Sequence, residues 1–410
     1  MKKSVLCHAA IMIMSINIYA NTDTDLQNTF EKAFTEGKVS GQIRTGYLYN
    51  DPRITGISNS YATAIGGQLK FETAQFYGFD AGAAFYTSHT LTPLSGDIDK
   101  GKFNDELTTE DKHYDILAEA YLDYTYQSFK IRIGRQRIDT PYADSDDIRM
   151  TPNTFEGIMA TYSYGDFNFI GAYFTQWQGP DAGTYTFEDL SEKSDGTAIA
   201  AATYKNDTTE ASLWYYHIDH YADILYTDIS GTYRLNEQTL FKGAFQLAKQ
   251  NEIDNSQIDG LLCGAMAELD YSGISFSIAY DQLFIDSSNA YFGGFGGGVG
   301  FVNMFEMTAG VFTLHQDAKA WKFTLGYDFS EMGMEGLGLE YDYGDFKGDV
   351  AHEAKEHNLI LTYAPADRWN FEIVYDRIED VHKDIGEDEV AHLHYNASVE
   401  RVLIRANYNF

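Results

Sequence analysis

The amino-acid sequence predicts an all-β protein, a transmembrane antiparallel β-barrel of about 18 strands with short periplasmic turns and long external loops. Three observations lead to this prediction. The chain begins with a predicted secretory leader, its body alternates apolar and polar residues over many segments, and the connections between those segments differ systematically in length. Residues 39–410 are predicted to form the barrel domain.

Residues 1–20, MKKSVLCHAAIMIMSINIYA, have the layout of a secretory signal peptide. Lys2 and Lys3 precede an apolar stretch, and the small residue Ala20 precedes the predicted cleavage site before Asn21. A transmembrane anchor is the alternative, but the apolar stretch is short and polar residues interrupt it. Residues 1–20 are therefore predicted to be removed from the mature protein.

Cysteine content and charge narrow the class of protein further. Cleavage would remove Cys7 and leave Cys263 alone, so the mature chain could form no intrachain disulfide. The chain has 29 Lys and Arg against 61 Asp and Glu, a net charge of −32. Because nucleic-acid binding depends on basic residues that contact phosphates, this balance argues against a nucleic-acid partner. The 31 Tyr, 27 Phe and 36 Gly with only 6 Pro suit a large antiparallel β-protein.

Residues 21–38 are predicted to form a short periplasmic segment before the barrel. Leu26, Phe30 and Phe34 recur every fourth residue, which predicts one short helix, and Gly37 would end it. After the leader, no run of about 18 apolar residues follows, so no membrane-spanning helix is predicted. A secreted chain of this kind can still cross a membrane as a closed barrel, in which every strand pairs with two neighbours.

From Val39 onward, apolar side chains recur at every second residue. In the first predicted strand, Val39 and Ile43 fall on one face, while Gln42 and Arg44 fall on the other. The final segment, RVLIRANYNF at residues 401–410, alternates in the same way. A soluble β-sandwich alternates too. Here the apolar face carries aromatic residues near the strand ends, and the other face carries small or charged residues. This pattern favours a membrane barrel, with lipid outside and water inside, over a sandwich.

The alternating segments define eighteen predicted strands. Their approximate cores are 39–50, 61–73, 76–86, 114–126, 128–136, 154–163, 167–175, 196–205, 208–217, 221–235, 238–249, 257–271, 273–283, 318–330, 336–345, 356–364, 369–378 and 397–410. The even-numbered connections are short, whereas most odd-numbered connections are long, including 91–112, 138–154 and 284–317. Short turns on one side and long loops on the other are typical of outer-membrane barrels and are not expected of a sandwich.

Inward-facing charges are candidates for lining the lumen. Arg44 on the first strand and Arg401 and Arg405 on the last would share one wall, because those strands meet when the barrel closes. Arg132 lies on the fifth strand. The carboxylates predicted nearby are Glu119, Asp123, Glu372 and Asp376. Facing rows of opposite charge would sort solutes by charge and dipole. Simple solvation and ion pairing between neighbouring strands is the alternative.

The third long loop, within residues 134–157, is the connection richest in charge. Seven of its charged residues are Arg135, Arg137, Asp139, Asp144, Asp146, Asp147 and Arg149. Pro141 and Pro152 restrict its backbone. A stiff loop that carries both signs of charge is suited to fold into a wide lumen and narrow it, so all seven charged residues are constriction candidates. An acid-rich external loop without that role is the alternative.

Several segments resemble the OprD-type outer-membrane porins, a family of substrate-selective porins of Gram-negative bacteria. They are GRQRIDTPYADSDDIRMTPNTFEGI, EKAFTEGKVSGQIRTGYLY, WKFTLGYDFSEMGMEGLGLEYDYGDF and the terminal Phe410. The resemblance implies an eighteen-stranded barrel, a third loop folded inward and a homotrimer. It also implies a basic ladder facing an acidic loop, for which Arg44, Arg132, Arg401 and Arg405 are the candidates. The strongly acidic balance and a Gly-rich seventh loop depart from the family pattern.

The resemblance implies an outer-membrane porin that passes small hydrophilic solutes or ions, such as amino acids, peptides or carboxylates, by passive diffusion. We expect no cofactor, no metal and no catalytic step. The expected partners are outer-membrane lipid, lipopolysaccharide, the transported solutes and the barrel-assembly machinery, which would recognise Phe410. The alternatives are a secreted or surface β-rich adhesin and an outer-membrane barrel enzyme, although no Ser–His–Asp set is evident in the sequence.

The sequence GGFGGGVG at residues 293–300 invites comparison with phosphate-binding loops. Val299 stands where the dinucleotide-binding pattern requires glycine, and no Lys-Ser or Lys-Thr pair follows. The segment is therefore predicted to be a flexible loop tip.

Overall fold

A computed structural model describes residues 30–53, 56–191, 194–286, 289–304, 318–348, 353–380 and 398–410. The predicted signal peptide lies outside these ranges. Residues 30–35 are helical and the helix ends before Gly37, as predicted. In the described part of the chain, no helix has the length and apolar character needed to cross a bilayer.

The rest of the described chain is mainly β-structure. The first eleven strands are β1 (Lys38–Asp51), β2 (Ser60–Glu72), β3 (Phe79–Thr90), β4 (His113–Tyr126), β5 (Phe129–Gln136), β6 (Asp139–Thr140), β7 (Ala143–Asp144), β8 (Thr154–Tyr164), β9 (Phe167–Gly179), β10 (Thr184–Asp189) and β11 (Thr197–Lys205). The other ten are β12 (Thr209–Ile218), β13 (Ala222–Asn236), β14 (Thr239–Glu252), β15 (Gly260–Tyr271), β16 (Ile274–Phe284), β17 (Lys319–Asp328), β18 (Leu337–Lys347), β19 (Glu353–Ala366), β20 (Trp369–Asp380) and β21 (Val399–Asn409).

All of these strands except β6, β7 and β10 form a closed antiparallel barrel, so 21 minus three gives the eighteen strands that were predicted. Each strand pairs with the next, and β21 returns to pair with β1 in a register that places Arg44 opposite Asn407. The Gly41 and Phe410 backbones complete the seam with two hydrogen bonds of 3.0 Å. The predicted fold class is therefore confirmed. The alternation of apolar and polar residues predicts it well, because each strand of such a barrel has one face toward water and one face toward lipid.

Three short strands were not predicted. β6 and β7 form a hairpin of their own inside the third long loop. β10 pairs with the external end of β9 and lies outside the barrel ring. Strands of two residues carry no detectable alternation, and the β10 segment is interrupted by a shift in register at its junction with β9.

The two faces of the wall differ as the alternation predicts. Ile43 and Ile404 are 51% and 39% exposed on the outer face, where they contact hydrocarbon in the membrane. Their chain neighbours Arg44 and Leu403 are buried inside the barrel. Near the short turns, the Trp369 ring lies 4.9 Å from that of Tyr408 and 5.6 Å from that of Phe371. Aromatic rings at this height form the girdle of a membrane barrel.

The lumen is partly filled by inward-folded segments. The larger apolar cluster lies between the third long loop, the Gly-rich segment 293–300 and the inner faces of β8 to β16. A smaller cluster joins Leu48 and Leu403 at the closing seam to Leu107 and Met150 from two long loops. These two clusters hold the loops against opposite walls of the barrel.

Candidate pore constriction

The third long loop, residues 137–153, runs into the barrel through its own small hairpin. In that hairpin Asp139 pairs with Asp144 and Thr140 pairs with Ala143. The Thr140 hydroxyl donates to the Ala143 carbonyl over 2.8 Å. The turn between the two strands places Tyr142 at the tip, where its side chain points into the larger apolar cluster.

Tyr142 anchors the loop to the far wall. Its side chain is 1% exposed, and its ring lies 5.5 Å from Tyr216 on β12 and 6.2 Å from Tyr226 on β13. Its hydroxyl forms a 2.5 Å hydrogen bond with the hydroxyl of Tyr291, and the Gln250 amide donates to it over 3.4 Å. The contact is mostly apolar, so burial of the ring supplies most of its stability.

The Gly-rich segment 293–300 packs against this hairpin, and this corrects the prediction that it forms a flexible tip. The Asp144 amide donates to the Phe295 carbonyl over 2.8 Å, and the Phe295 amide donates to the Tyr142 carbonyl over 2.9 Å. At Gly296, φ is +107° and a Cβ would lie 2.4 Å from the Asp144 carbonyl oxygen. Glycine is needed here because two backbones approach too closely for a side chain.

The second half of the loop is held by charge. Arg44 is 3% exposed and binds both carboxylate oxygens of Asp147, over 2.6 and 2.8 Å. It also donates to Asn407 over 2.7 Å and to the Arg149 carbonyl over 2.8 Å. Burial of Asp147 opposes its ionisation, but the hydrogen bonds and charge of Arg44 outweigh that effect and lower the pKa of Asp147. The loop is thereby fixed to the seam formed by β1 and β21.

The two arginines of the last strand also bind carboxylates. Arg405 donates to Glu372 over 2.7 and 3.0 Å and to the Asp147 carbonyl over 2.5 Å. Arg401 lies 2.5 Å from Glu106, which belongs to the long connection between β3 and β4. Arg149 of the third loop lies 2.8 Å from the same Glu106 oxygen. Partial burial opposes ionisation of Glu106, yet the two arginines lower its pKa to about 2.

Arg132 lies deeper in the barrel, nearer the short turns. Its guanidinium binds both oxygens of Asp123, each over 2.7 Å, and lies 3.5 Å from the centre of the Tyr121 ring. Lys130 contacts the same carboxylate over 2.7 Å. Arg132 therefore faces the lumen, as its parity predicted, but the structure places it apart from the third loop.

The remaining candidates lie in different surroundings. Arg135 falls on the outward parity of β5, where it binds Glu156 over 2.8 Å and contacts the Phe187 ring, so it is separate from the inner set. Arg137 and Asp139 are exposed at the entrance of the loop. The structure thus groups Arg44, Asp147, Arg149, Arg401 and Arg405 on one wall.

Sequence reasoning did not select Glu106. It lies in the long connection between β3 and β4, among several other acidic residues, and nothing in its local sequence distinguishes it. Its role depends on its meeting Arg401, which is 295 residues away in the chain. No local pattern carries that information.

An open vestibule of about 1060 Å³ lies beside the third loop. Its acidic lining residues are Asp105, Glu106, Glu110, Asp111, Asp144, Asp146 and Asp181. Arg149 is the one basic residue among the described lining residues. Burial, together with Asp139 and Asp146, raises the pKa of Asp144 to about 6. Burial, together with Asp181 and Asp147, raises the pKa of Asp146 to about 6.

The wall opposite the arginines is acidic as well. Cross-strand pairing places several carboxylates of β13 to β18 on its inner face, among them Asp228, Glu268, Asp270, Asp281, Glu340 and Asp342. The basic residues on the same face of these strands are Lys242, Lys322 and, near a short turn, Arg234. Both the entrance and this wall therefore present a negative potential to the lumen.

Comparisons with known proteins agree with this architecture. The sequence profile described as outer membrane porin, OprD family, matches residues 32–383. No curated protein matches the chain. The structure of OccK9 (OpdG) from Pseudomonas aeruginosa is 15% identical, with a TM-score of 0.79 over 92% of this chain and 99% of that chain.

Two further solved structures are similar. OpdK from P. aeruginosa, determined with vanillate, is 18% identical, with a TM-score of 0.76 over 92% of this chain and 99% of that chain. OccAB4 from Acinetobacter baumannii is 16% identical, with a TM-score of 0.77 over 91% and 98% of the two chains. At these identities the structural likeness is one of fold.

Proposed function

Because the chain belongs to the OprD family of outer membrane porins, we propose that its constriction selects small hydrophilic solutes by charge and favours those that carry a positive group. The protein is an outer-membrane channel for passive diffusion of small solutes. The mechanism that we propose needs no cofactor and no catalytic step. Family membership favours a channel over the adhesin and barrel-enzyme alternatives.

This proposal is supported by a difference between the basic and the acidic residues near the third loop in how they are paired. The arginines at the constriction have carboxylate partners within the protein: Arg44 with Asp147, Arg401 and Arg149 with Glu106, and Arg405 with Glu372. In the described ranges, Asp144 and Asp146 form no ion pair although both line the vestibule. The unbalanced charge that a solute meets at the entrance is therefore negative.

This asymmetry suggests a path for a solute with both charges, such as an amino acid or small peptide. The vestibule would concentrate its ammonium group through the field of the unpaired carboxylates. At the constriction, the carboxylates that pair with the arginines offer acceptors to the same ammonium group. A solute that is only anionic would meet repulsion at the entrance and arginines already bound to carboxylates.

OpdK has been determined with vanillate, an organic anion. A preference for cationic or dipolar solutes would distinguish this chain from a protein whose structure was determined with such an anion, although both share the barrel. The resident carboxylates Asp147, Glu106 and Glu372 account for the difference that we propose, because they occupy the guanidinium groups that a solute carboxylate would bind.

We also propose that an assembly factor recognises Phe410. Phe410 is 44% exposed on the outer face and its backbone closes the seam with Gly41, so the terminal ring is accessible to an assembly factor. Contact with lipopolysaccharide in the outer leaflet and assembly into a homotrimer rest on the family resemblance alone.

The proposal is tested by replacing Asp144, Asp146 and Asp147 together with Asn. Removing the two unpaired carboxylates and the partner of Arg44 should shift ion selectivity toward anions. The measurement is the reversal potential in a planar bilayer under a KCl gradient. D97N is the matched control, since Asp97 lies in an exposed turn paired with Lys100 and is not a vestibule residue. An unchanged reversal potential in the triple variant would refute the proposal.

A further inference from the structure

One carboxylate at the constriction serves two arginines. The Glu106 Oε2 atom accepts from Arg401 over 2.5 Å and from Arg149 over 2.8 and 3.1 Å. Arg401 belongs to the last barrel strand and Arg149 to the third loop. Glu106 itself comes from the connection between β3 and β4. Three distant parts of the chain therefore meet at one oxygen atom on the edge of the vestibule.

We propose that Glu106 is the specificity-determining residue of the channel, a built-in carboxylate that occupies the cleft between Arg149 and Arg401 and so denies it to anionic solutes. This inference rests on the proposed function, selection of solutes by charge, and assigns control of that selection to the Glu106 side chain. The geometry is that of a carboxylate ligand held between two guanidinium groups, with the ligand supplied by the protein.

Glu106 is held in place by its own loop. The Glu106 amide donates to the Asn104 side-chain carbonyl over 3.0 Å, and the Asn104 amide group donates back to Glu106 Oε1 over 3.2 Å. The next residue, Leu107, is 0% exposed in the small apolar cluster at the seam. Ser88 donates to the Leu107 carbonyl over 2.7 Å. The carboxylate is therefore positioned by buried contacts on both sides.

Two guanidinium groups share one oxygen at this site, which makes it different from the other pairs. Arg44 with Asp147 and Arg405 with Glu372 each combine one arginine with one carboxylate. At Glu106 one carboxylate oxygen binds the guanidinium groups of Arg149 and Arg401, whose side chains are 10% and 12% exposed. Neutralising Glu106 thus removes a negative charge that two sets of charged donors contact beside the solute path.

Glu110 provides a matched comparison. It is exposed, lines the same vestibule, lies in the same loop and forms no ion pair within the described part of the chain. E106Q and E110Q change the net charge of the protein equally. A difference between them therefore reports the loss of the carboxylate that contacts Arg149 and Arg401 and not a general loss of negative charge.

The test measures reversal potentials of the full chain in planar bilayers under a KCl gradient. We expect E106Q to raise the anion-to-cation permeability ratio about fivefold, since a unit charge at about 4 Å in water changes an ion's population by roughly that factor, and E110Q to raise it about twofold or less. Benzoate, used as a probe, should interrupt the current through E106Q and leave E110Q and the original protein unblocked.

Equal shifts in E106Q and E110Q, with benzoate block in neither, would overturn the inference. That result differs from failure of the proposed function, which would appear as anion selectivity in the unaltered protein. Heat-modifiable migration in detergent gels checks that each variant folds. Should E106Q fail to fold, R401Q remains informative, because it removes one of the two guanidinium groups that contact Glu106 and should shift selectivity toward cations; a shift toward anions, or none, would overturn the inference.

Discussion

The two halves of the third long loop are held against opposite walls by different kinds of interaction. Residues 138–143 bury an aromatic ring, Tyr142, in the apolar cluster beneath the Gly-rich segment. Residues 147–149 bind the seam through Asp147 and Arg149, which meet arginines and a carboxylate of other segments. Between these halves, Asp144 and Asp146 face the vestibule without an ionic partner.

Because of this difference, the residues that position the loop are not the residues that select the solute. The apolar anchor depends on contact area and does not respond to salt or pH near neutrality. The ionic anchor depends on charges that dissolved ions screen only weakly when buried. The two unpaired carboxylates between the anchors are free to act on the solute, because neither is needed to hold the loop.

The largest effect is expected from breaking the apolar anchor. Y142A removes a buried ring from a packed site, which typically costs about 3–5 kcal/mol of stability. We expect the loop to leave the far wall and single-channel conductance to rise, with noisier open states. The matched control, Y142F, keeps the ring and loses the hydrogen bond to Tyr291, for about 1 kcal/mol. Equal conductance in Y142A and the unaltered protein would show that the anchor does not shape the channel.

Breaking the ionic anchor should have the next largest effect. R44M leaves the Asp147 carboxylate without its partner, and because Asp147 is 33% exposed we discount the usual penalty to about 2–3 kcal/mol. The thermal midpoint in detergent should fall and selectivity should move further toward cations. Thermal denaturation and reversal potentials check the two effects. A stable R44M channel with unaltered selectivity would contradict the role given to this pair.

A change of pH should have a smaller effect on ion selectivity. It should distinguish the paired carboxylates from the unpaired ones, because their pKa values differ. Asp144 and Asp146, each with a pKa raised to about 6, are ionised at pH 7.5 and mostly protonated at pH 5. Glu106, with a pKa of about 2, and Asp147, whose pKa is lowered, stay ionised. Cation preference should therefore fall as pH falls through this interval.

The measurement is the reversal potential between pH 7.5 and 5, and the D144N/D146N double variant is the control. That variant should already lie near the low-pH value and should vary little with pH. A pH dependence that survives in the double variant would assign the titration to other groups.

The smallest effect is expected from an ion pair at the rim. Arg53 lies against Glu400, and the Arg53 side chain is 49% exposed. R53Q should leave the thermal midpoint almost unchanged, because solvent screens such pairs. A loss as large as that of R44M, measured by thermal denaturation in the same detergent, would mean that burial does not distinguish the two arginines.

The strands were predictable because their signal is local. Ile43 and Arg44 take opposite faces in any barrel that contains them, and an even number of strands brings Arg44 to the wall of Arg401 and Arg405. What a loop residue meets could not be predicted in the same way. The anchoring of Tyr142, the place of Glu106 and the outward position of Arg135 depend on how loops with no repeating pattern pack against distant strands.

The Gly-rich segment illustrates the same limit. Its composition indicated conformational freedom, and the structure uses that freedom to bring Gly296 against the Asp144 backbone. Composition shows that a segment can adopt unusual backbone geometry. Only the partner, here the third loop, determines which geometry is adopted and whether the segment is ordered.

The closing seam has a consequence for biogenesis. The first strand made, β1, has as its permanent partner the last strand made, β21, joined through residues such as Gly41 and Phe410. The ring is therefore incomplete until β21 has been made, and every earlier stage has two open edges able to pair with other chains. Escort of the nascent polypeptide to the membrane is thus a physical requirement of this topology, and any truncation near the carboxyl terminus should send the whole product to aggregation or proteolysis.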